Sequence, residues 1–330
     1  MLVSVVMTVF NGEKYLQEAI DSVLSQTYKN FEFIIVNDGS RDNTKNILKQ
    51  ISDPRVNILH LEPNQSQANA LNFGIDIAKG EWIARQDADD ISLSNRLTEQ
   101  VKFAQNHPHL IAFGSHIECF SDDQSVQKDF LDSVTNYHNS IYTEEDLLKE
   151  RFHSCPFSHG SMMFSKEAFL KAGRYNPKYR ISQDYDLWMR MYETGPVGIL
   201  PKILYKYRIL PNSLSQNDQS EFREELRGIS VTYLLRMFSA KFDKHFPTFI
   251  ILGSEWVTNF MKNRICPKTG LSVLDFVNGH DSKTFDSLVE RVTGEEVDGI
   301  IVLDGKEAND CLNYLQNKGL EYNQNLFNIA

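Results

Sequence analysis

The first hundred residues alternate between two kinds of apolar pattern, and this alternation constrains the fold more than any other feature. Runs rich in β-branched residues, such as residues 2–10 (LVSVVMTVF) and 31–36 (FEFIIV), are typical of buried strands. Between them lie segments whose apolar residues recur at helical spacing, so one face of each can pack on a sheet. The sequence therefore predicts an α/β fold, with a mostly parallel sheet covered by helices on both faces.

The same pattern predicts four strands and three helices before residue 90. The strands are expected at residues 2–10, 31–36, 56–61 and 81–85. Asp38-Gly39 predicts a turn, and Ser40 is a candidate N-cap for the second helix. Gly80 is the predicted C-cap of the third helix.

Three acids follow the fourth predicted strand, in the sequence QDADD. Asp87, Asp89 and Asp90 are poor strand residues and are seldom buried without a partner. In parallel sheets, ligands bind off the carboxyl ends of the strands. Residues 8–11, 37–40 and 87–90 are therefore expected on one rim, which places the acids where a ligand binds and not in the core.

The rim lacks the glycine-rich patterns that bind phosphates. There is no GxGxxG after the first strand and no GxxxxGK[ST] in the first hundred residues, which argues against a dinucleotide fingerprint or a P-loop. Asp87 and Asp89, spaced by one residue, can bind a hard divalent cation that bridges carboxylates to substrate phosphates. Taken alone, such a pair more often caps a helix or faces water; its position after a strand favours the metal site.

Composition narrows the functional class. The net charge of −10 argues against a nucleic-acid-binding surface, which needs Lys and Arg to neutralise phosphates. Four cysteines lie far apart without metal-ligand or disulfide spacing, so a reducing, cytoplasmic compartment is expected. No signal peptide and no apolar run near the roughly 20 residues of a membrane span is evident.

Four segments, in order through residues 1–215, resemble the family 2 inverting glycosyltransferases, which have the GT-A fold. Residues 4–44 resemble the opening segment of that family, and residues 64–90 resemble the segment that ends in its DxD motif. Residues 159–191 resemble its acceptor-side segment, and residues 207–215 (YRILPNSLS) the segment that closes the domain. The resemblance is to members of the bacterial surface-polysaccharide type.

The resemblance implies a nucleotide site on the predicted rim. Asp38 matches an aspartate that reads the uracil edge, a role suited to a carboxylate accepting an N–H. Phe10 lies near the position of the ring that packs against the base, and Thr8 and Glu13 belong to the same rim. Arg85 is expected to meet phosphate.

The resemblance also implies a divalent cation, Mn²⁺ or Mg²⁺, as cofactor. Asp89 is the expected metal contact, and Asp87 is expected to face ribose or a metal-bound water. The cation would act as a Lewis acid on the leaving diphosphate. Leu210 stands where many members carry a metal-reaching His, so phosphates and waters would have to complete the coordination.

Asp184 in SQDYDLW matches the catalytic base of the family. Inversion needs a carboxylate on the far side of the anomeric carbon, to accept a proton from the acceptor hydroxyl. Gln183 stands where Glu is usual, and Asp186 is the alternative base. A further departure is Ser66, at a position where glycine is common.

The residues alone leave simpler interpretations open. Asp38-Gly39 is also an ordinary turn with a helix cap, and Asp184 with Asp186 also fits a solvated helix face. His153 and His159 lie in the acceptor-side region and receive no assigned role.

Residues beyond 215 fall outside the resemblance. Residues 216–245 predict a helical linker and residues 246–330 a small Rossmann-like unit, with a docking or packing role. The bulky Trp256 in its first turn argues against dinucleotide binding. The apolar linker residues Leu234, Leu235, Met237 and Phe238 suggest peripheral association with the inner face of the membrane, although few positive charges accompany them. An oligomer through this C-terminal region is a further expectation.

The leading hypothesis is a hexosyl- or N-acetylhexosaminyl-transferase. It would move a sugar from a UDP-linked donor to a hydroxyl of a surface glycan or a lipid-linked glycan. One alternative is a sugar-1-phosphate nucleotidylyltransferase, which needs a glycine-rich basic loop that TVFNGEKY does not supply. The other is a non-catalytic nucleotide-sugar-binding protein.

Overall fold

The computed structural model describes residues 1–211, 213, 218–278, 281–303 and 308–329. The chain divides into two compact units. The first comprises Met1–Leu147 and Pro156–Asn217, and the second comprises Leu148–Cys155 and Asp218–Ala330. The predicted domain boundary after residue 215 lies outside the described residues.

An eight-stranded sheet forms the centre of the first unit, in the order β3-β2-β1-β4-β7-β6-β8-β5. Its strands are β1 Val3–Val9, β2 Phe31–Asp38, β3 Val56–Leu61, β4 Trp82–Asp87, β5 Ile91–Ser92, β6 Ala112–Phe120, β7 Met163–Ser165 and β8 Val197–Arg208. The first four strands are parallel, and β7 runs antiparallel to β4 and β6. The predicted α/β class with a mostly parallel sheet is confirmed.

Helices follow the strands along the chain, as the apolar spacing predicts. They are α1 Leu16–Leu24, α2 Thr44–Lys49, α3 Gln67–Ile77, α4 Arg96–Asn106, α5 Lys128–His138, α6 Glu144–Glu150, α7 Lys166–Lys171 and α8 Gln183–Tyr192, with a short 3₁₀ helix at His159–Ser161. Every residue of β1 is buried. Leu16, Ala19, Ile20 and Val23 of α1 belong to the same apolar core as β1.

Two predicted helix caps are wrong. The helix α2 begins after Asn43, and the hydroxyl of Ser40 instead accepts a hydrogen bond from the N–H of Asn11 at 2.9 Å. The helix α3 ends at Ile77 with Ala78 as its C-cap. Gly80 has a different reason to be glycine, because a Cβ there would lie 2.7 Å from the backbone nitrogen of Ser4.

The second unit contains a four-stranded, fully parallel sheet in the order β10-β9-β11-β12. Its elements are α9 Gln219–Phe242, β9 Thr248–Leu252, α10 Glu255–Phe260, a π-helix at Met261–Ile265, α11 Cys266–Thr269, β10 Ser272–Val277, α12 Ser282–Thr293, β11 Gly299–Leu303, α13 Ala308–Asn317 and β12 Leu326–Ile329. This is the Rossmann-like pattern expected for the tail, with the addition of α12 and β12.

The apolar face of α9 packs inside this unit. Leu234 is 0% and Phe238 is 3% exposed, and the ring of Phe238 lies 5.1 Å from that of Phe249 on β9. These two side chains are therefore not available to a membrane surface, contrary to the expectation from the sequence. Among the described residues, no helix is both long and apolar enough to cross a membrane.

Candidate active site

A cavity of about 850 Å³ opens at the carboxyl ends of β1, β2 and β4. This is the rim that the sequence predicts. Its lining residues are Thr8, Val9, Phe10, Asn11, Gly12, Lys14, Tyr15, Asp38, Asn64, Ser66, Gln67, Asp87, Ala88, Asp89, Arg180 and Leu210.

Asp87 is the last residue of β4 and is fixed from two sides. The guanidinium of Arg85 donates to Oδ1 of Asp87 at 2.6 Å, and the backbone N–H of Asp87 donates to the hydroxyl of Tyr205 at 3.0 Å. Arg85 itself is 0% exposed and also donates to the carbonyl of Val6. Arg85 is buried and is not among the residues that line the cavity. The structure therefore does not support the expectation that Arg85 meets phosphate.

Asp89 lines the cavity from the loop after β4. Its burial, and then the negative charge of Asp87, raise the pKa of Asp89 to about 6. The side chain of Arg208 donates to the backbone carbonyl of Asp89 at 2.7 Å, which holds the loop in place. Asp87 and Asp89 therefore form a pair of carboxylates that repel one another.

Asp90, the third acid, belongs to the core and not to the rim. It is 1% exposed, and its Oδ1 accepts the backbone N–H of Arg208 on β8 at 2.7 Å. Burial, together with the charges of Asp89 and Asp87, raises the pKa of Asp90 well above its usual value. The expectation that all three acids lie at the ligand edge is therefore wrong for Asp90, which ties the loop to β8.

The Asp87–Asp89 pair fits a divalent cation. Carboxylate oxygens are the ligands that Mg²⁺ and Mn²⁺ prefer, and a cation would offset the repulsion that raises the pKa of Asp89. Within the described parts of the chain, no three His, Cys, Asp or Glu side chains are grouped to bind a metal. Leu210 lines the cavity and cannot ligate. The protein thus supplies two carboxylates, and further ligands would come from substrate and water.

Asp38 is the last residue of β2 and lines the same cavity as Asp87 and Asp89. Its Oδ1 accepts the N–H of Gln65 at 2.7 Å, and its backbone carbonyl accepts from the side chain of Asn64 at 2.9 Å. Burial raises the pKa of Asp38, while the N–H groups of Gln65 and Ser66 oppose the shift. Gly39 has φ +73°, and a Cβ there would lie 2.9 Å from the nitrogen of Asn64, so residues 64–66 pack closely on this turn.

Ser66 adopts a backbone conformation that is almost restricted to glycine. Its φ is +85° and its ψ is 152°, in a region that costs about 1–3 kcal/mol for other residues. This explains why glycine is common at the position in the family that the sequence resembles.

We expect Ser66→Gly to raise the free energy of unfolding by about 1 kcal/mol, because the strain it removes exceeds the roughly 0.5–1 kcal/mol entropic cost of glycine. Urea denaturation measures the change. Ser66→Ala keeps the strained backbone and serves as the control without a gain. A glycine variant less stable than the wild type would show that the conformation is not strained.

Asp184 lies in the first turn of α8 and is partly exposed. Burial raises the pKa of its carboxyl to about 6. The backbone N–H of Tyr185, which donates to Oδ1 at 2.8 Å, acts in the opposite direction and lowers this pKa. The charges of Asp87 and Arg85 also act on it, in opposite directions. Asp186, the alternative base, is 3% exposed and accepts two hydrogen bonds from Arg190, at 2.6 and 3.0 Å.

These features agree with the comparison to known proteins. The model of the family described as "Glycosyl transferase family 2" matches residues 4–173, about half of the chain. The chain belongs to this family. The Bacillus subtilis protein named "Putative glycosyltransferase EpsE" is 36% identical over 212 residues, which are 62% of this chain and 72% of EpsE.

Solved structures show the same fold. S. aureus TarS 1–349 in complex with UDP is 19% identical with a TM-score of 0.56, over 71% of this chain and 66% of that one. The mannosyltransferase PcManGT from Pyrobaculum calidifontis, in complex with GDP-Man and Mn²⁺, is 16% identical with a TM-score of 0.51, over 73% and 64%. The GT-A fold expected from the sequence is thus confirmed, with a second, small parallel sheet after it.

In this glycosyltransferase, the contacts of Gln183 explain why glutamine stands where the family usually has glutamate. Its side-chain amide lies 3.0 Å from that of Gln67. In the amide orientation that satisfies its neighbours, its NH₂ group donates to the carbonyls of Ile181 at 3.0 Å and Arg180 at 3.2 Å. A carboxylate cannot donate these bonds, so Gln183 fixes the loop that leads into α8.

The remaining rim residues divide into two groups. Thr8 lines the cavity, and so does Phe10, whose side chain is 51% exposed. Glu13 does not line it; its carboxylate instead accepts the backbone N–H of Asn43 at 2.8 Å, just before α2.

Two cationic lining residues, Lys14 and Arg180, were missed by the sequence reasoning. Each lies within a segment that resembles the family, Lys14 after β1 and Arg180 four residues before Asp184. Both residues are distant in sequence from Asp87 and Asp89, so no local pattern around the DxD pair indicated them.

His159, which the sequence left without a role, pairs with the buried Tyr175. Its Nε2 lies 2.8 Å from the hydroxyl of Tyr175. Burial and the charge of Arg85 lower the pKa of His159 well below its usual value, so the imidazole is neutral at pH 7.

Proposed function

We propose that this glycosyltransferase uses a UDP-linked sugar as donor. It would transfer the sugar, with inversion, to a hydroxyl of a surface glycan or lipid-linked glycan. One observation carries the proposal: Asp38, Asp87 and Asp89 line a single cavity at the carboxyl ends of the strands. Asp184 lies near enough for the charge of Asp87 to affect its pKa.

The nucleoside end of the cavity suits a uracil base. The carboxylate of Asp38 accepts the N–H of Gln65 and is also stabilised by the N–H of Ser66, and its remaining lone pairs can accept an N–H of the base. The exposed ring of Phe10 at the same rim offers a flat apolar surface to the base. TarS, which shares the fold, has been solved with UDP and with UDP-GlcNAc, and this supports the choice of a UDP donor.

The diphosphate end combines positive side chains with the proposed cation site. Lys14 and Arg180 line the cavity and can pair with phosphate oxygens, although the whole chain is acidic. Asp89 and Asp87 would hold Mn²⁺ or Mg²⁺, which when bound supplies Lewis-acid stabilisation of the leaving diphosphate. Arg85 acts indirectly, because it fixes the carboxylate of Asp87 from behind.

Asp184 is the proposed general base. Its pKa of about 6 keeps it ionised at pH 7, while making it more basic than an exposed aspartate. The carboxylate would take the proton of the acceptor hydroxyl as that oxygen bonds to the anomeric carbon and the nucleoside diphosphate leaves. Asp186 is not suited to this step, because Arg190 occupies its carboxylate.

The roles of the chain regions follow from these assignments. Residues 1–215 would carry transfer. Residues 216–245 would lead from this region into the second unit, where α9 packs, and residues 246–330 would serve packing or docking, including any oligomer. A cytoplasmic location is proposed from the cysteine content.

The test is calorimetric titration of UDP into the wild-type protein with Mn²⁺ and then with EDTA, repeated on Asp89→Asn. We expect binding to require the metal and to weaken about 10- to 100-fold in the variant, because one of two carboxylate ligands is lost. Asp76→Asn, which alters an exposed acid paired with Arg174, is the control and should bind normally.

Binding that ignores both EDTA and Asp89→Asn would show that the acids of QDADD are not metal ligands. It would favour the non-catalytic nucleotide-sugar binder. Metal-dependent binding would justify a screen of UDP-sugars for turnover.

A further inference from the structure

The turn after β4, which carries the two carboxylates of the proposed cation site, is held by one strand, β8. The hydroxyl of Tyr205 accepts the backbone N–H of Asp87 at 3.0 Å. The guanidinium of Arg208 donates to the backbone carbonyl of Asp89 at 2.7 Å, and the backbone N–H of Arg208 donates to Oδ1 of Asp90 at 2.7 Å. Each acid of the turn therefore has a hydrogen-bond partner on β8.

The bond between Asp87 and Tyr205 begins where the pairing of β4 with β7 ends. The register of these two strands ends at Ala84, and the N–H of Arg85 reaches the carbonyl of Met162 at 2.9 Å. Asp87 directs its N–H to the same side of β4 as Arg85, because the conformation of a strand repeats every two residues. The hydroxyl of Tyr205 is the acceptor at this point, so a side chain completes the hydrogen bonding of the strand end.

Packing holds the hydroxyl of Tyr205 in its place. The residue is 0% exposed, and the guanidinium of Arg96 lies over its ring at 4.9 Å from the centroid. A Cβ at position 160 would overlap the hydroxyl oxygen, so the oxygen fits there because Gly160 has no side chain. A hydroxyl held in this way fixes the backbone of Asp87 at the point where Asp87 meets the cavity.

Arg208 is held as firmly as Tyr205. Its side chain is 1% exposed and forms ion pairs with the carboxylates of Glu18 and Asp122. Its guanidinium also lies 4.1 Å from the ring centroid of Tyr15, which lines the cavity. Its hydrogen bond to Asp89 goes to the backbone carbonyl. Arg208 therefore holds the turn by its backbone and makes its ion pairs with other carboxylates.

We propose that Tyr205 and Arg208 are positioning residues of the cation site, which set the placement of the Asp87 and Asp89 carboxylates relative to one another. Neither Tyr205 nor Arg208 is among the residues that line the cavity. The inference rests on the proposed function, in which the two carboxylates hold Mn²⁺ or Mg²⁺. Partners that orient metal ligands in this way typically contribute about 10- to 100-fold in metal affinity.

The test determines the Mn²⁺ concentration that gives half-maximal UDP binding, by calorimetry at a series of Mn²⁺ concentrations. It compares the wild type with Tyr205→Phe, which removes only the hydroxyl, and with Arg208→Lys, which keeps the charge but loses the guanidinium fork. Each variant should need about 10-fold more Mn²⁺. At saturating Mn²⁺, the Kd of UDP should return to within about twofold of the wild-type value, since the residues assigned to the nucleotide are unchanged.

Tyr28→Phe is the matched control. It removes a tyrosine hydroxyl that donates to the backbone carbonyl of Met1, and Tyr28 does not line the cavity. The control should leave the required Mn²⁺ concentration unchanged, whatever its effect on the melting temperature. Restoration of UDP binding by added Mn²⁺ separates a positioning role from a general loss of structure, which Mn²⁺ would not repair.

The outcomes that contradict the inference differ from those that contradict the proposed function. Wild-type dependence on Mn²⁺ in Tyr205→Phe would overturn the inference alone, and so would a loss of UDP binding that no Mn²⁺ concentration restores. If Tyr205→Phe does not fold, Arg208→Lys decides by the same criteria. A wild type that binds no UDP, or binds it equally well in EDTA, would overturn the proposed function together with the inference.

Discussion

Replacing Asp184 with asparagine is expected to reduce kcat about 10²- to 10⁴-fold, the range that a general base contributes. Asparagine keeps the size of the side chain but cannot take up the acceptor proton. The residues assigned above to the donor site, among them Asp38, Asp87 and Asp89, are unchanged in this variant. The Kd of UDP should therefore stay within about twofold of the wild-type value. Single-turnover transfer and UDP titration measure the two effects separately.

Asp186→Asn is the matched control, with the same substitution two residues away on α8. It breaks a largely buried pair with Arg190, so it should lower the melting temperature. At temperatures where it stays folded, it should keep its transfer rate. Equal loss of binding and transfer in Asp184→Asn would contradict the role of base, and a rate loss confined to Asp186→Asn would reassign it.

The pH dependence of transfer follows from the same carboxyl. Burial places the pKa of Asp184 near 6, above the ordinary aspartate value. A base acts when it is deprotonated, so kcat should be constant above about pH 7 and fall about tenfold per pH unit below 6. Rates at saturating donor, from about pH 5 to 8, measure this. A flat profile down to pH 5 would contradict the assignment.

The sequence predicted the framework of the site because that framework depends on local patterns. Apolar runs and helical spacing identified the strands, and the rule that ligands bind at strand ends brought Asp38 and Asp87 to one cavity. The errors concern contacts that are distant in sequence. Nothing near Asp90 indicated that Arg208, on another strand, would bury it. Likewise, Arg85 turned back towards Val6 and Asp87.

The departures from the family pattern turned out to be informative positions. Leu210 and Ser66 both line the cavity, and Gln183 holds the loop that carries Arg180. The sequence could mark these positions as unusual. It could not show that Ser66 is strained, since φ and ψ at a single residue depend on how residues 64–66 pack around Gly39.

The C-terminal unit contains a segment that the sequence did not assign to it. Residues 148–155 comprise the last turn of α6 and the loop that follows it, yet they group with residues 218–330. Phe152 is 2% exposed and its ring lies 6.4 Å from that of Phe327 on β12. The side chain of Asn323 also donates to the carbonyl of Leu148 at 2.8 Å. No local pattern could indicate a contact between residues 175 positions apart in the sequence.

We therefore expect deletion of residues 246–330 to leave an insoluble chain. The deletion removes Phe249 and Phe327, which cover Phe238 and Phe152, and each newly exposed phenylalanine costs about 1.5–3 kcal/mol. Expression of the full and shortened chains, followed by centrifugation, measures the effect. A soluble and active shortened protein would instead make residues 246–330 a separate module.

A milder pair of variants tests the same contact in the whole protein. Phe327→Leu and Phe285→Leu each replace a buried aromatic ring of the second unit with a smaller aliphatic side chain. Of these two phenylalanines, Phe327 is the one whose ring contacts Phe152. We expect trypsin to cleave after Lys149 or Arg151 faster in Phe327→Leu than in Phe285→Leu, because residues 148–155 lose their cover only in the first. Equal cleavage in the two variants would show that residues 148–155 are held by the unit as a whole and not by this ring contact.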